Sequence, residues 1–197
     1  MKLGKGSSLT DVAIATGDAL RRTGIRAVLT GGACANLYSK GTYQSSDADF
    51  VLTRECGLEN LDRALAPLGF VRKGTRYVHQ LVPFFVEFPT GPLGIGQDLG
   101  IKPVWRSRGS AKTLALSATD ACRDRLAAFY HWNDQQSLGA AVAIALHHHV
   151  SFAKVRSWSA KEGHTKGYGA FLAELRRART QRSGRRNLAG RQRRSDR

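Results

Sequence analysis

Residues 28–52 read VLTGGACANLYSKGTYQSSDADFVL. An apolar run ends at Gly31 and Gly32, and after fourteen intervening residues Asp47 and Asp49 stand at the head of a second apolar run. The two runs predict strands, and the glycines predict a tight turn into a short helix between them. Side chains at positions i and i+2 of a strand point to the same side, so the two carboxylates are predicted to lie next to each other.

Carboxylates this close repel each other, and each raises the pKa of the other. A divalent cation removes the repulsion, and ligands that are all oxygen suit Mg²⁺ or Mn²⁺. Glu87 is the single acid in the apolar segment LVPFFVEF at residues 81–88, where an acid requires a partner. We therefore expect Asp47, Asp49 and Glu87 to bind metal together.

The glycine turn has a second predicted role. Glycines let backbone N–H groups approach an anion, and the start of the following helix adds a favourable dipole. Gly31 and Gly32 are therefore predicted to bind the phosphates of a nucleotide. Ser46, directly before the first aspartate, is expected either to hydrogen-bond a phosphate or to shape the turn.

The remaining pattern divides the chain. Helical or strand patterns occupy most of the first part, and residues 89–112 are rich in glycine and proline, which predicts a loop region and a boundary. After this region the apolar spacing is helical. The prediction is an α+β fold, with a small mixed sheet and flanking helices at 1–110 and a helical region at 111–180. Strands are expected at 25–30, 49–53, 76–80 and 81–88, and helices at 8–22, 58–68, 119–132, 134–149, 151–159 and 165–179.

The charge is concentrated at the end of the chain. The protein carries a net charge of +16, and residues 176–197 contain ten arginines and one acid. This composition predicts a disordered tail over 181–197 that attracts polyanions, nucleic acid first. The alternative is a solubilising extension. Three scattered cysteines and the lack of a signal or membrane-spanning pattern lead us to expect a cytoplasmic protein with reduced thiols and no membrane partner.

The motifs LTGG…SDADFVL and the later VEF resemble those of the nucleotidyltransferase superfamily typified by DNA polymerase β. Its pattern is hG[GS], a spacer, [DE]h[DE]h and a distal h[DE]h, where h is an apolar residue. Residues 124–138, DRLAAFYHWNDQQSL, further resemble helical motifs of the bacterial AbiEii-like, toxin-type members. This resemblance places Arg125 and Asp134 at the catalytic cleft.

The resemblance implies a nucleotidyltransferase core, with an NTP held between this core and the helical region. It implies metal binding by the three carboxylates and transfer of a nucleoside monophosphate to an acceptor hydroxyl, with release of pyrophosphate. Toxin-type members suggest tRNA or a protein side chain as the acceptor and a cognate antitoxin as a partner; a small-molecule acceptor also remains open.

Two residues depart from the family pattern. Gly32 replaces the commoner serine and so lacks its hydroxyl, and Arg125 replaces lysine. Arg125 cannot act as a base at neutral pH, but it can neutralise triphosphate charge. One alternative is therefore a catalytically silent nucleic-acid-binding or antitoxin-like protein on the same fold. Another is a structural protein in which the DAD sequence is a solvated turn.

Overall fold

The structure is a computed structural model, and it describes residues 2–39, 43 and 45–195, with side chains through residue 183. The α-helices are α1 Leu9–Arg22, α2 Gly31–Ser39, α3 Leu58–Leu65, α4 Ala118–Trp132, α5 Gln135–His147, α6 Phe152–Lys161 and α7 Thr165–Ser195. The strands are β1 Ala27–Thr30, β2 Asp47–Leu52, β3 Phe70–Lys73, β4 Arg76–His79, β5 Phe85–Glu87, β6 Val104–Arg108 and β7 Ala111–Ala115. A 3₁₀ turn, Ala66–Leu68, follows α3.

The described strands form one mixed sheet in the order β3-β4-β5-β2-β1-β7-β6. β1 runs antiparallel to β2 and parallel to β7, whereas β2 runs parallel to β5. Helix α1 packs against β7 and β1, and α2 packs against β2, α4 and α5. This arrangement confirms the predicted α+β class, a mixed sheet with flanking helices.

Local sequence signals explain where α1 begins and ends. The Ser8 side chain accepts a hydrogen bond from the Asp11 backbone, and the Asp11 side chain accepts one from the Ser8 backbone in return, which is a capping box. Arg21 and Arg22 lie in the last turn, where their charge complements the helix dipole. Gly24 follows with φ of 78°, a left-handed conformation that ends the helix.

The glycine-rich segment at 89–112 differs from its prediction. It contains β6 and the start of β7, which form an antiparallel hairpin with Gly109 at φ of 59°. β7 then pairs with β1, so the sheet continues to Ala115. The density of glycine and proline obscured a short alternating pattern in AKTLA, in which alternate residues are buried. The division at residue 110 stays a prediction.

The helices after the sheet are tied to it by a buried ion network. Arg123 is 1% exposed and donates hydrogen bonds to Asp98 in the loop before β6 and to Asp120 one turn earlier in α4. Lys154 of α6 also bonds Asp120, at 2.9 Å. Buried charges are stable only when paired in this way, so the network fixes the loop against α4 and α6.

The last helix continues beyond its predicted end. α7 extends to Ser195, and its backbone is therefore helical over most of the stretch whose composition predicts a disordered tail. Residues 196 and 197 and the side chains from residue 184 onward lie outside the described part of the chain. None of the described helices has the length and apolar character that crossing a bilayer requires.

Candidate active site

Three carboxylates converge at one end of the neighbouring strands β2 and β5. Asp49 of β2 stands opposite Glu87 of the parallel strand β5. Asp47 lies two residues before Asp49, on the same side of β2, whereas the intervening Ala48 is buried on the other side. One oxygen from each of the three carboxylates lies within 4.8 Å of the other two. The structure thus brings together the three residues that the sequence singled out as metal ligands.

The acidic cluster perturbs the protonation of Asp49. Burial first, and then the charges of Asp47 and Glu87, raise the pKa of Asp49 from 3.8 to about 6, although the charge of Arg125 opposes this shift. The shift means that the apo protein holds three carboxylates together at a cost in free energy. A cation placed between them would remove this cost, because it stabilises the ionised forms.

The two glycines make room for this cluster. Gly31 opens α2 with φ of 63°, and a Cβ atom at this position would overlap the carboxylate of Asp49. A Cβ atom on Gly32 would lie 2.7 Å from the Cβ of Ser45 and 3.3 Å from the ring of Tyr43. Larger residues would therefore push the loop before β2 away from the start of α2. The glycines allow close approach, as the sequence predicted; phosphate binding by them stays a prediction.

Arg125 lies on the helical side of the cluster. Its guanidinium is 14% exposed and forms two hydrogen bonds, of 3.0 and 2.8 Å, with Asp124 Oδ2. It also donates to the hydroxyl of Tyr43 at 3.5 Å and to that of Ser137 at 3.4 Å. Burial acts to lower the pKa of Arg125, but its contacts with Asp124 and Tyr43 outweigh burial and raise it. A permanently charged cation therefore lies near the three carboxylates.

Asp134 has a clear structural task. It is the N-cap of α5, and it accepts hydrogen bonds from the backbone N–H groups of Gln136 and Ser137 and from the Ser137 hydroxyl. The Ser137 hydroxyl is the largest influence on the pKa of Asp134, which lies below its usual value. Arg125 contributes to the same lowering. Capping explains this residue without any catalytic role, and a catalytic role for it stays a prediction.

Ser46 and Ser45 differ in their contacts. Ser46 is exposed, and its backbone carbonyl accepts a hydrogen bond from Phe85 N at 3.2 Å, which joins β2 to β5. The hydroxyl of Ser45, by contrast, donates to Asp47 Oδ1 at 2.5 Å. Ser45 is therefore the serine that orients a carboxylate of the cluster.

Sequence reasoning missed Arg76 and Tyr43. Arg76 of β4 stands opposite Glu87, donates from Nε to Glu87 Oε1 at 2.7 Å, and lies over the Phe85 ring with its guanidinium carbon 4.5 Å from the ring centroid. The hydroxyl of Tyr43 accepts a hydrogen bond from Arg125, and its ring lies 3.3 Å from the place that a Cβ atom on Gly32 would occupy. Neither residue has a spacing that signals this position, because both reach the site through long-range packing.

Comparison with known proteins gives one structural relationship. No family model matches the chain, and no curated protein matches it. The crystal structure of an antigenic nucleotidyltransferase-like protein from Paracoccidioides brasiliensis matches with a TM-score of 0.54 and 17% sequence identity, over 92% of this chain and 93% of that chain. This chain has a nucleotidyltransferase-like fold.

The acidic cluster fits a metal by its chemistry. All three ligands are carboxylates, which favours Mg²⁺ or Mn²⁺ over softer ions. Burial and the charges of Asp47 and Glu87 raise the pKa of Asp49 in spite of the opposing charge of Arg125, so a cation bound beside Asp49 would stabilise its ionised form. Within the described part of the chain, no other group of three acids, histidines or cysteines converges in this way.

Proposed function

We propose that the protein is a metal-dependent nucleotidyltransferase, which moves a nucleoside monophosphate from an NTP to an acceptor hydroxyl and releases pyrophosphate. The observation that carries this proposal is the convergence of Asp47, Asp49 and Glu87 within 4.8 Å, on a nucleotidyltransferase-like fold. A structural DAD turn would not require a third carboxylate from another strand.

Asp47, Asp49 and Glu87 are the residues that would hold the cations. When bound, divalent cations at such a site polarise the reacting phosphate and stabilise the charge of the leaving group. The start of α2 at Gly31 and Gly32 would receive the β- and γ-phosphates, because its N–H groups and dipole favour anions.

The residues around the cluster would complete the reaction. Arg125, which is held by Asp124 and Tyr43, would neutralise triphosphate charge. The acceptor oxygen bonds to the α-phosphorus while the bond to pyrophosphate breaks in line, and the proton of the acceptor hydroxyl passes to Glu87. Arg76 would keep Glu87 oriented for this step, since it bonds Oε1.

The acceptor class follows from chemistry outside the cluster. The resemblance of residues 124–138 to toxin-type members suggests tRNA or a protein side chain, and the excess of arginine in residues 176–197 favours RNA of the two. The same resemblance supports a cognate antitoxin as a partner.

One observation favours the silent alternative, a nucleic-acid-binding or antitoxin-like protein on this fold. Arg76 already neutralises Glu87, so this carboxylate has an internal counter-ion that could replace a metal. The two functions differ in whether nucleotide is consumed.

The test is incubation with each of the four α-labelled NTPs, Mg²⁺ or Mn²⁺, and total RNA or lysate. We expect label on a macromolecule together with release of pyrophosphate, and loss of both in Asp49→Asn. Asp62→Asn is the matched control, because Asp62 is a carboxylate on α3 that bonds Arg72 and Tyr77 away from the cluster. If none of the four nucleotides labels any acceptor with either metal, the silent alternative replaces the enzyme.

A further inference from the structure

A group of adjoining clefts lies at the end of β2 that is far from the acidic cluster. Because β1 and β2 are antiparallel, the start of β1 lies beside this end of β2. A cleft of about 580 Å³ is lined by Arg26, Arg54 and Arg63. A smaller cleft of about 190 Å³ shares Arg26 and Arg54 and adds Trp105. Arg54 also lines a third cleft, of about 960 Å³.

Three of the four arginines that line these clefts among the described residues form no ion pair, whereas the fourth, Arg21, is paired with Asp18. The guanidinium groups of Arg26, Arg54 and Arg63 are exposed, and in the described part of the chain none of them forms an ion pair. Glu55 is the single acid among the described residues that line the three clefts. Unmatched positive charge in a concave surface attracts anions, and guanidinium groups bind phosphate in bidentate geometry.

Two further features favour a phosphate-bearing ligand with an aromatic part. The N-terminus of α3 opens on the first cleft, and its N-cap, Gly57, provides no side-chain hydrogen bond to the backbone N–H groups, although the acid Glu59 lies in the first turn. Trp105 on the edge strand β6 is 53% exposed and lines the second cleft beside two of the arginines. Base stacking on such an aromatic side chain, next to arginines that bind the backbone, is how proteins hold single-stranded nucleic acid.

We propose that Arg26, Arg54, Arg63 and Trp105, the arginine cleft, bind a single-stranded segment of RNA. The arginines contact successive phosphates, and Trp105 stacks on a base. Arg54 lies two residues beyond the end of β2, and the step from Asp49 to Leu52 within this strand alone spans roughly 10 Å at about 3.3 Å per strand residue. The cleft thus recognises the RNA at a distance from the reacting end. The inference rests on the proposed function only in making this RNA the acceptor.

The experiment measures binding of a fluorescein-labelled oligouridine of about 15 nucleotides by fluorescence anisotropy, over a series of salt concentrations, with EDTA and without NTP. The variants are Arg54→Ala, the triple variant Arg26→Ala/Arg54→Ala/Arg63→Ala, and Trp105→Ala, all in the full chain. The matched control is Arg72→Ala, an arginine on β3 that does not line the clefts and whose charge is paired with Asp62. Melting temperatures verify folding, which we expect to be unchanged in the triple variant because its side chains form no ion pairs.

Each phosphate contact with a single strand contributes about 0.7 to the slope of log K against log salt. We therefore expect Arg54→Ala to weaken binding about fivefold at about 0.1 M salt. The triple variant should weaken it on the order of 100-fold and flatten the slope by about 2. Trp105→Ala should weaken it on the order of tenfold, through lost stacking. Arg72→Ala should bind as the wild type does.

Unchanged RNA binding in the triple variant would overturn the inference. An equal loss of RNA affinity in Arg54→Ala and Arg72→Ala would also overturn it, because RNA would then respond to the overall positive charge and not to this cleft. A different outcome would identify an acidic protein, and not RNA, as the ligand of the cleft. In that case the wild type would bind poly-glutamate but not RNA, the triple variant would lose the poly-glutamate binding, and Trp105→Ala would keep it. Since the assay contains neither metal nor NTP, RNA binding at the arginine cleft in a protein that transfers no nucleotide would support the inference and overturn only the proposed function.

Discussion

Replacing Asp49 by asparagine should change stability in opposite directions with and without metal. The pKa of Asp49 is raised from 3.8 to about 6 in the folded protein, so the native state holds its proton more tightly than the unfolded state. The ionised carboxylate therefore destabilises the fold: the penalty grows as the pH rises from 3.8 to about 6, is fully present above about 6, and disappears well below pH 3.8, where both states are protonated. At 1.36 kcal/mol per pKa unit, the penalty is about 3 kcal/mol at neutral pH.

The measurement is thermal unfolding of wild type and Asp49→Asn in EDTA at about pH 3 and about pH 8. At the higher pH we expect Asp49→Asn to be more stable than the wild type by about 1–3 kcal/mol, or roughly 2–12 °C in melting temperature. The gain is at most the full penalty, because asparagine lacks the charge but is still a polar, half-buried side chain. At the lower pH the two proteins should melt together, since about pH 3 lies below both pKa values and most wild-type molecules then carry a protonated Asp49 in the folded and in the unfolded state.

Addition of Mn²⁺ and NTP should reverse the order of stability. A ligand at 100 times its dissociation constant stabilises the native state by about 2.7 kcal/mol, and the variant lacks a ligand for that metal. Asp62→Asn serves as the control, because the hydrogen bond from Arg72 and that from Tyr77 lower the pKa of Asp62. This control should lose stability in EDTA and keep the full metal response.

The reasoning would be refuted if Asp49→Asn melted below the wild type in EDTA at the higher pH and the wild type showed no shift with Mn²⁺ and any NTP. That result would mean that the DAD sequence stabilises the fold by hydrogen bonding, as a structural turn does.

Substitutions at three further residues test the surroundings of the cluster. Arg125→Ala should raise the apparent KM for NTP in steady-state kinetics by about tenfold or more, because a charged hydrogen bond of about 1.5–3 kcal/mol is lost. Arg125→Lys should restore only part of the affinity for NTP, because lysine lacks the planar guanidinium. Asp134→Asn should lower turnover while the melting temperature stays within a few degrees of the wild type, since asparagine also caps helices. Asp134→Ala should cost about 1 kcal/mol of stability, because alanine cannot cap α5. Full turnover in Asp134→Asn would mean that capping is the only role of Asp134. Gly31→Ala should destabilise the fold by about 1–2 kcal/mol or more in chemical denaturation, because its φ of 63° is left-handed and its Cβ would displace Asp49; an unchanged midpoint would contradict this close approach.

The local pattern predicted the parts of the site that lie within one element. The period of two along β2 placed Asp47 and Asp49 on one side, and the glycine turn predicted a close approach at Gly31 and Gly32, as the structure has it. These features depend on backbone geometry over a few residues. Glu87 was predicted from its isolation in an apolar strand, which indicates that a partner exists but does not identify it.

Strand pairing decided the rest. Only the parallel register of β5 on β2 sets Glu87 beside Asp49, and only the antiparallel register of β4 sets Arg76 on Glu87. The hairpin of β6 and β7 likewise depends on strand pairing, and the glycines of this segment predicted a loop there instead. Register across a sheet depends on which faces the whole core buries, and no window of a few residues contains that information.

The arginine cleft shows the same limit at the surface. Arg26 precedes β1, Arg54 follows β2 and Arg63 lies on α3, so nothing in their spacing unites them. The tertiary fold brings them together, because the antiparallel pairing of β1 with β2 places the start of one strand beside the end of the other. The sequence by itself determined which carboxylates share one side of β2 and where positive charge is in excess. The tertiary structure decided which distant charges meet, because charges far apart in the chain become neighbours only once long-range packing has fixed the register and order of the strands.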